Sequence, residues 1–284
     1  MTGTLYIVAT PIGNLEDISQ RALRTLREVD LVACEDTRRT RVLLNHFGIK
    51  TKTISYHEHN ESARAEQLCK EMLSGRNVAL VSDAGTPLIS DPGFRIVQAA
   101  TKRDIPVVPI PGATALMAAL VVSGLPSDQF FFAGFLPARA NARRAKLEEC
   151  LPVSVTLVFY EAPHRIAATL KAALEVLGNR GAVVARELTK LHEEIARGSL
   201  SELARRFSGD PPTRGEIVLV ISGAADESTG RAETSPRDFI ARVNELESSG
   251  LDARTALKQA AREVGMKRAE AYRLLVAQKN RRSK

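Results

Sequence analysis

Six short runs of this chain gather acids, bases and small polar residues, and each follows a segment that reads as a β-strand. They are CEDTRRT (Cys34 to Thr40), SYHEHNE (Ser55 to Glu61), VSDAGTPLISDPG (Val81 to Gly93), PIPGATA (Pro109 to Ala115), FYEAPHR (Phe159 to Arg165) and ARELTKLHEE (Ala185 to Glu194). A strand opening into a Gly, Ser and Pro loop brings backbone N–H and C=O groups close to a ligand with no side chain in the way. Polar clusters at the carboxyl ends of strands mark the crevice where open α/β sheets bind ligands. Neither glycine-bearing loop is a GxGxxG fingerprint or a Walker loop with its lysine, which disfavours an ordinary dinucleotide or ATP site. No GxSxG elbow supports a serine hydrolase.

The chemistry in these runs is that of acids, bases and anion binding. His57 and His59 flank Glu58 at a spacing that puts both imidazoles on one face of a strand, yet no third ligand follows, so no metal is expected. His164 and Arg165 come just after Pro163 at a helix start, where first-turn N–H groups and a guanidinium favour phosphate.

The elements that position these residues alternate. Strands are predicted at Thr4 to Ala9, Leu31 to Cys34, Thr51 to Tyr56, Val78 to Val81 and Pro106 to Ile110. Helices fall between and after them at Gln20 to Val29, Thr40 to Phe47, Ser62 to Leu73, Phe94 to Lys102 and Thr114 to Ser123, which makes a mostly parallel sheet covered on both faces. After Gly124-Leu125-Pro126 the rhythm changes, and strands at Phe130 to Phe135, Val155 to Ala162, Ala182 to Thr189, His192 to Gly198 and Gly215 to Gly223 predict a second α/β domain with a mixed sheet. The reading is an N-terminal α/β domain over 1–123, a second over 124–225, a linker at 226–234 and a helical module over 235–284. In that module a helix following Gly265 carries Lys267, Arg268 and Arg273, a helix-turn-helix pattern that suits RNA, with a small dimerising bundle as the other reading.

The chain has 284 residues and a formal charge of +7. From Arg231 onward there are 13 Lys and Arg against 7 Asp and Glu, so nearly all the surplus lies in the last helices and points to a polyanionic partner. No run approaches the roughly 20 apolar residues of a membrane span. The opening MTGTLYIVATPIG carries no basic lead of a secretory signal, and the three widely spaced cysteines Cys34, Cys69 and Cys150 suit a reduced, cytoplasmic protein.

Taken with TPIGNLEDIS (Thr10 to Ser19), these runs resemble the ribosomal RNA small-subunit methyltransferase I family of the tetrapyrrole-methylase superfamily. The resemblance spans about Thr4 to Ser222 and implies S-adenosylmethionine in a crevice between two α/β domains, a homodimer, and methylation of a cytidine ribose 2′-oxygen in 16S rRNA of the small ribosomal subunit. It implies cofactor contacts from Asp83, Ala84, Gly85 and Thr86, from Gly112, Thr114 and Ala115, from Thr10, Pro11 and Gly13 on the floor, and from Tyr160 and Glu216. The superfamily's Gly-Asp-Pro stands here as Ser82-Asp83-Ala84, and Asp91 to Gly93 offers a second Asp-Pro-Gly for the same role.

Such a transfer needs a base for the ribose hydroxyl. His57, Glu161, His164, Glu187 and Lys190 are the candidates, with Glu187 and Lys190 favoured, and Lys190 requires a pKa lowered by burial or a neighbouring cation. Arg38, Arg39, Arg165 and Arg186 are expected on RNA phosphates. A tetrapyrrole-type small-molecule methyltransferase and a non-enzymatic nucleic-acid binder are the alternatives. The basic tail argues against the first, and the polar clusters on every strand end argue against the second.

Overall fold

In a computed structural model that describes residues 2–209, 215–224, 236–264 and 271, short apolar strands and amphipathic helices alternate along the first part of the chain. β1 (Leu5–Val8), α1 (Gln20–Glu28), β2 (Leu31–Cys34), α2 (Thr37–His46) and β3 (Thr53–Ser55) are followed by α3 (Glu61–Leu73), β4 (Val78–Val81), α4 (Phe94–Thr101), β5 (Val107–Ile110) and α5 (Ala115–Ser123). The five strands pair in parallel in the order β3-β2-β4-β1-β5. The central strand β4 is apolar and buried at every position because helices cover both faces of the sheet there. In β4, Val78 and Leu80 point into a core with Leu68, Met72 and Ile96, whereas Ala79 and Val81 point into one with Leu23, Leu26 and Leu44.

The second sheet holds β6 (Phe130–Phe135), β7 (Thr156–Glu161), β8 (Gly181–Arg186), β9 (Glu194–Ser199) and β10 (Ile217–Ile221), with α6 (Ala140–Glu149), α7 (Ile166–Leu177) and α8 (Leu200–Arg206) among them. Its order is β6-β7-β10-β8-β9, parallel only between β6 and β7, so the sheet is mixed. Ile217, Leu219 and Ile221 of β10 face a core with Leu170 and Leu200, while Val218 and Val220 face Leu116, Ala119 and Leu120 of α5. A helix that leaves the first sheet thus covers a face of the second.

Two compact units divide the chain, 1–224 and 225–284. In the second, α9 (Pro236–Ser248) and α10 (Ala253–Val264) enclose Phe239, Val243, Ala256 and Ala260, with Ala271 buried in the same cluster. Gly250 (φ +97°) ends α9, and Asp252 accepts the Thr255 N–H at the start of α10. The linker and the helix carrying Lys267, Arg268 and Arg273 lie outside the described residues.

Candidate active site

Three small-residue loops interlock at the carboxyl edge of the first sheet. Thr10 and Gly85 exchange backbone hydrogen bonds (2.8 and 3.1 Å), and the Thr10 hydroxyl donates to the Ser82 carbonyl at 3.2 Å. Thr86 Oγ1 donates to the Ala113 carbonyl at 3.2 Å. Gly112 lies against Ala9 so closely that a Cβ there would meet the Ala9 Cβ at 2.9 Å. These contacts explain the small residues of both loops, since larger ones would hold the three turns apart.

β2 connects outward to the edge strand β3, whereas β4 connects the other way, past β1 to β5. The two loops diverge, which is the switch-point geometry that opens a crevice. There Asp83, after β4, accepts the Asp36 N–H at 3.1 Å and pairs with Arg39 at 3.2 Å. Asp36 also caps α2, accepting the Arg38 N–H at 2.8 Å. That cap starts the helix at Thr37 rather than Thr40 and places Arg38 and Arg39 in its first turn. Glu35 and Asp91 complete the acidic side, Glu35 raised in pKa by burial and by Asp83, and Asp91 pushed up to about 6 by burial and by Glu35.

The opposite wall comes from the second sheet. Tyr160, at the end of β7, hydrogen-bonds Thr114 at the start of α5, and burial raises its phenol pKa. Glu161 is 1% exposed and fully engaged: it accepts from Ala162 N–H at 2.8 Å and Thr169 Oγ1 at 2.5 Å, and pairs with Arg165 at 3.1 Å. Arg165 also donates to the Leu136 carbonyl. A bulge between Phe132 and Phe135, with Gly134 at φ +64°, breaks the alternation of edge strand β6. Phe135 ends up in the cavity wall, 56% exposed, with its ring edge-on to Tyr160 at 5.5 Å.

Beyond β8 the chain turns sharply, with Glu187 at φ +52° and Thr189 at +66°. A non-glycine residue in this region costs roughly 1–2 kcal/mol, so the surroundings must hold the turn. Lys190 Nζ bonds Glu187 Oε1 and Glu216 Oε2, each at 2.9 Å, and Glu187 also accepts the Glu216 N–H at 3.1 Å. Burial draws the Lys190 pKa down, but these two hydrogen bonds push it up by more, so it lies above the ordinary lysine value. The hydrogen bond from Lys190 in turn holds Glu187 below the usual carboxylate range. The lowered lysine pKa that the base role required is therefore not what this arrangement produces.

Between these walls lies a cavity of about 430 Å³. Of the residues expected at the cofactor, Asp83, Ala84, Gly85, Thr86, Thr114, Ala115, Tyr160 and Glu216 line it. Thr10, Pro11, Gly13 and Gly112 instead build the loops behind, with Ile12 reaching in. Of the expected bases only Glu161 lines it; Glu187 and Lys190 bear on it through Glu216, and His164 is exposed on a short 3₁₀ turn. His57 and His59 sit in the turn after β3 with ring centroids 6.0 Å apart. Among the described residues no group of three or more His, Cys, Asp or Glu could hold a metal ion. Arg38 pairs with Asp36 and is 91% exposed, and Arg186 bonds Glu194 at 2.8 Å. Glu35 and Phe135 are cavity residues absent from the sequence-based site, and Asp91, named there only as an alternative to Asp83, lines the cavity as well. The glycine inside the FFFAGF strand was the available signal for the bulge that places Phe135.

The class of protein follows from this crevice and from comparison with known proteins. Residues 4–204 match the model of the tetrapyrrole (corrin/porphyrin) methylases. Uroporphyrin-III-C-methyltransferase from Thermus thermophilus superposes with a TM-score of 0.55 at 22% identity, covering 78% of this chain and 94% of that one. The methyltransferase CobJ gives 0.59 at 18% identity, over 79% and 95%. The proteins named ribosomal RNA small subunit methyltransferase I are far more similar in sequence. That of Halalkalibacterium halodurans is 46% identical, covering 96% of this chain and 94% of its own. That of Vibrio cholerae is 53% identical over 78% of each. The chain belongs to the tetrapyrrole methylases and, within them, to the ribosomal RNA small subunit methyltransferase I family.

Proposed function

We propose that the protein transfers a methyl group from S-adenosylmethionine to the ribose 2′-oxygen of a cytidine in 16S rRNA of the small ribosomal subunit. The observation that carries this reading is the 430 Å³ cavity lined by residues of both sheets, in a chain whose relatives carry the rRNA methyltransferase name. Its size is that of a small-molecule site. Ile12, Ile89, Leu188 and Val218 supply apolar wall, and Asp83, Thr86, Thr114 and Glu216 supply polar groups. Gly85 leaves its backbone bare, at a φ of +84° that L side chains rarely adopt. The residues present therefore fit S-adenosylmethionine, with Asp83 to Thr86, Thr114, Ala115, Tyr160 and Glu216 holding it.

When bound, this cofactor supplies an electrophilic methyl on a sulfonium, already a good leaving group. The work left to the protein is alignment, which can be worth about 7–11 kcal/mol, together with removal of the hydroxyl proton. Interlocked loops on one side and the Lys190 clasp on the other fix the cavity walls before ligands arrive. Phe135, exposed at the cavity, offers a ring on which the target base stacks when it leaves its neighbours. Arg39 is 70% exposed beside Asp83 and is placed to meet RNA phosphate.

In this reading residues 235–284 serve as an accessory RNA-binding module, and the protein works in the cytoplasm. Exposed Met117 and Val121 on α5, 42% and 69% accessible, support a homodimer that covers them with a second copy. The test uses methyl-labelled S-adenosylmethionine and small subunits from cells lacking the enzyme, followed by mapping of 2′-O-methyl groups. Label on one cytidine ribose is the expected result. Cofactor binding without RNA labelling would overturn the proposal.

A further inference from the structure

The cavity wall contains Glu35, Arg39, Asp83, Asp91, Tyr160, Glu161 and Glu216 as its ionisable groups. Most are committed to other groups. Asp83 is held by Arg39 and the Asp36 N–H, Glu161 by Arg165, Thr169 and the Ala162 N–H, and Glu216 by Lys190. Arg39 donates hydrogen bonds and accepts none. Tyr160 is hydrogen-bonded to Thr114 and kept neutral by burial.

That leaves Glu35 and Asp91, and their settings differ. Glu35 follows β2 at the edge of the Asp83–Arg39 pair and has Arg39 as nearby positive charge. Asp91 sits in a loop whose backbone is forced: Leu88 and Ser90 have φ of +73° and +65°. At Gly93, φ +145°, a Cβ would strike Leu88 Cδ1 at 2.8 Å and Leu80 Cδ2 at 2.9 Å. The bulge at Gly134 closes on Ser90 from the other sheet, where a Cβ on Gly134 would lie 3.1 Å from the Ser90 hydroxyl. Such strain is kept where position matters. The Ser82 hydroxyl, 3.3 Å from the Ala84 and Gly85 carbonyls, is among the described residues the hydrogen-bonding side chain that favours the Asp91 carboxylate, and Glu35, Asp83 and Tyr160 are the ionisable groups that act on it.

We propose that Asp91 is the general base of the reaction, an inference that rests on the methyl-transfer reading above. The ribose 2′-oxygen forms its bond to the methyl carbon as the carbon–sulfur bond breaks. The hydroxyl proton passes to the Asp91 carboxylate, and the sulfonium leaves as a neutral thioether. Charge is conserved: the positive sulfonium and negative carboxylate become neutral sulfide and neutral acid, which later releases its proton to water.

The acid limb of the rate then follows Asp91, with activity present above about 6 and lost as the carboxylate protonates below it. Removing the negative charge of Glu35 stabilises the Asp91 carboxylate, so Glu35→Gln moves the limb to lower pH. Removing the Ser82 hydroxyl has the opposite effect, so Ser82→Ala moves it to higher pH. The experiment is single-turnover methyl transfer to small subunits across pH, with equilibrium binding of S-adenosylmethionine alone measured in parallel. Asp91→Asn is expected to bind the cofactor as wild type does and to lose about 10²–10⁴-fold in rate. Wild-type rate in Asp91→Asn, or loss of cofactor binding in that variant, overturns the assignment. If Asp91→Asn does not fold, the limb shifts decide: opposite shifts in Glu35→Gln and Ser82→Ala support it, and an unmoved limb in both defeats it. Failure of the wild type to methylate RNA strikes at the underlying function instead.

Discussion

Lys190 lies across Gly13 so closely that a Cβ on Gly13 would sit 2.4 Å from Lys190 Cγ and 3.1 Å from the Leu188 carbonyl oxygen. The first β–α loop and the strained turn after β8 therefore meet through a glycine and a lysine stem. Lys190 covers this gap while its ammonium holds Glu187 and Glu216.

Gly13→Ala should displace Lys190 and loosen that wall of the cavity. The ion pairs involved are partly exposed, so the change in unfolding free energy should stay within about 1 kcal/mol. Methyl transfer, measured under single turnover, should fall by an order of magnitude. Lys190→Ala should do the same and leave the acid limb in place, with Lys190→Arg recovering part of the rate. Loss of the limb in Lys190→Ala would make Lys190 the base after all.

Arg165 is held inside the protein by Glu161, whose side chain is fully buried. Removing one partner of a buried pair leaves the other charge uncompensated, at about 3–5 kcal/mol. Arg165→Ala should lower stability in urea by that order. If it leaves stability intact while weakening RNA binding, Arg165 is a phosphate ligand and its pairing with Glu161 is incidental.

Asp83 stands where the loops after β2 and β4 diverge. A hydrogen bond to a charged group is worth about 1.5–3 kcal/mol, roughly ten- to a hundredfold in affinity. Asp83→Asn should weaken S-adenosylmethionine binding by this factor in calorimetry. Unchanged binding would confine Asp83 to organising Arg39 and the start of α2.

Phe135→Ala should lower kcat/KM for the ribosomal substrate with little effect on binding of the cofactor alone. Stacking of a base on an aromatic ring contributes about 1–3 kcal/mol, and Phe135→Trp should preserve it. A loss confined to cofactor binding would make Phe135 part of the cofactor wall.

Much of this arrangement is legible in the sequence because punctuation and apolar runs agree. Leu31–Cys34, Val78–Val81 and Phe130–Phe135 are strands with the expected bounds, each ending where polar or small residues begin. The start of α2 was misplaced because the arginines that follow Asp36 look like a loop, although Asp36 itself is a good cap. The pairing of Glu35 and Asp91 at one cavity was not readable. It depends on β2 and β4 being neighbours, and strand order is not written in local pattern. Phe135 was hidden likewise, since one bulge reverses which face a residue takes.

Helix α5 follows directly on Thr114 in the cavity wall, and its Leu116, Ala119 and Leu120 are packed into the core of the second sheet. Neither sheet can lose its order without stripping cover from a helix rooted in the other. Residues 1–224 should then melt in one cooperative transition. A ligand in the crevice should raise the midpoint of that whole transition and not split it into an early and a late phase.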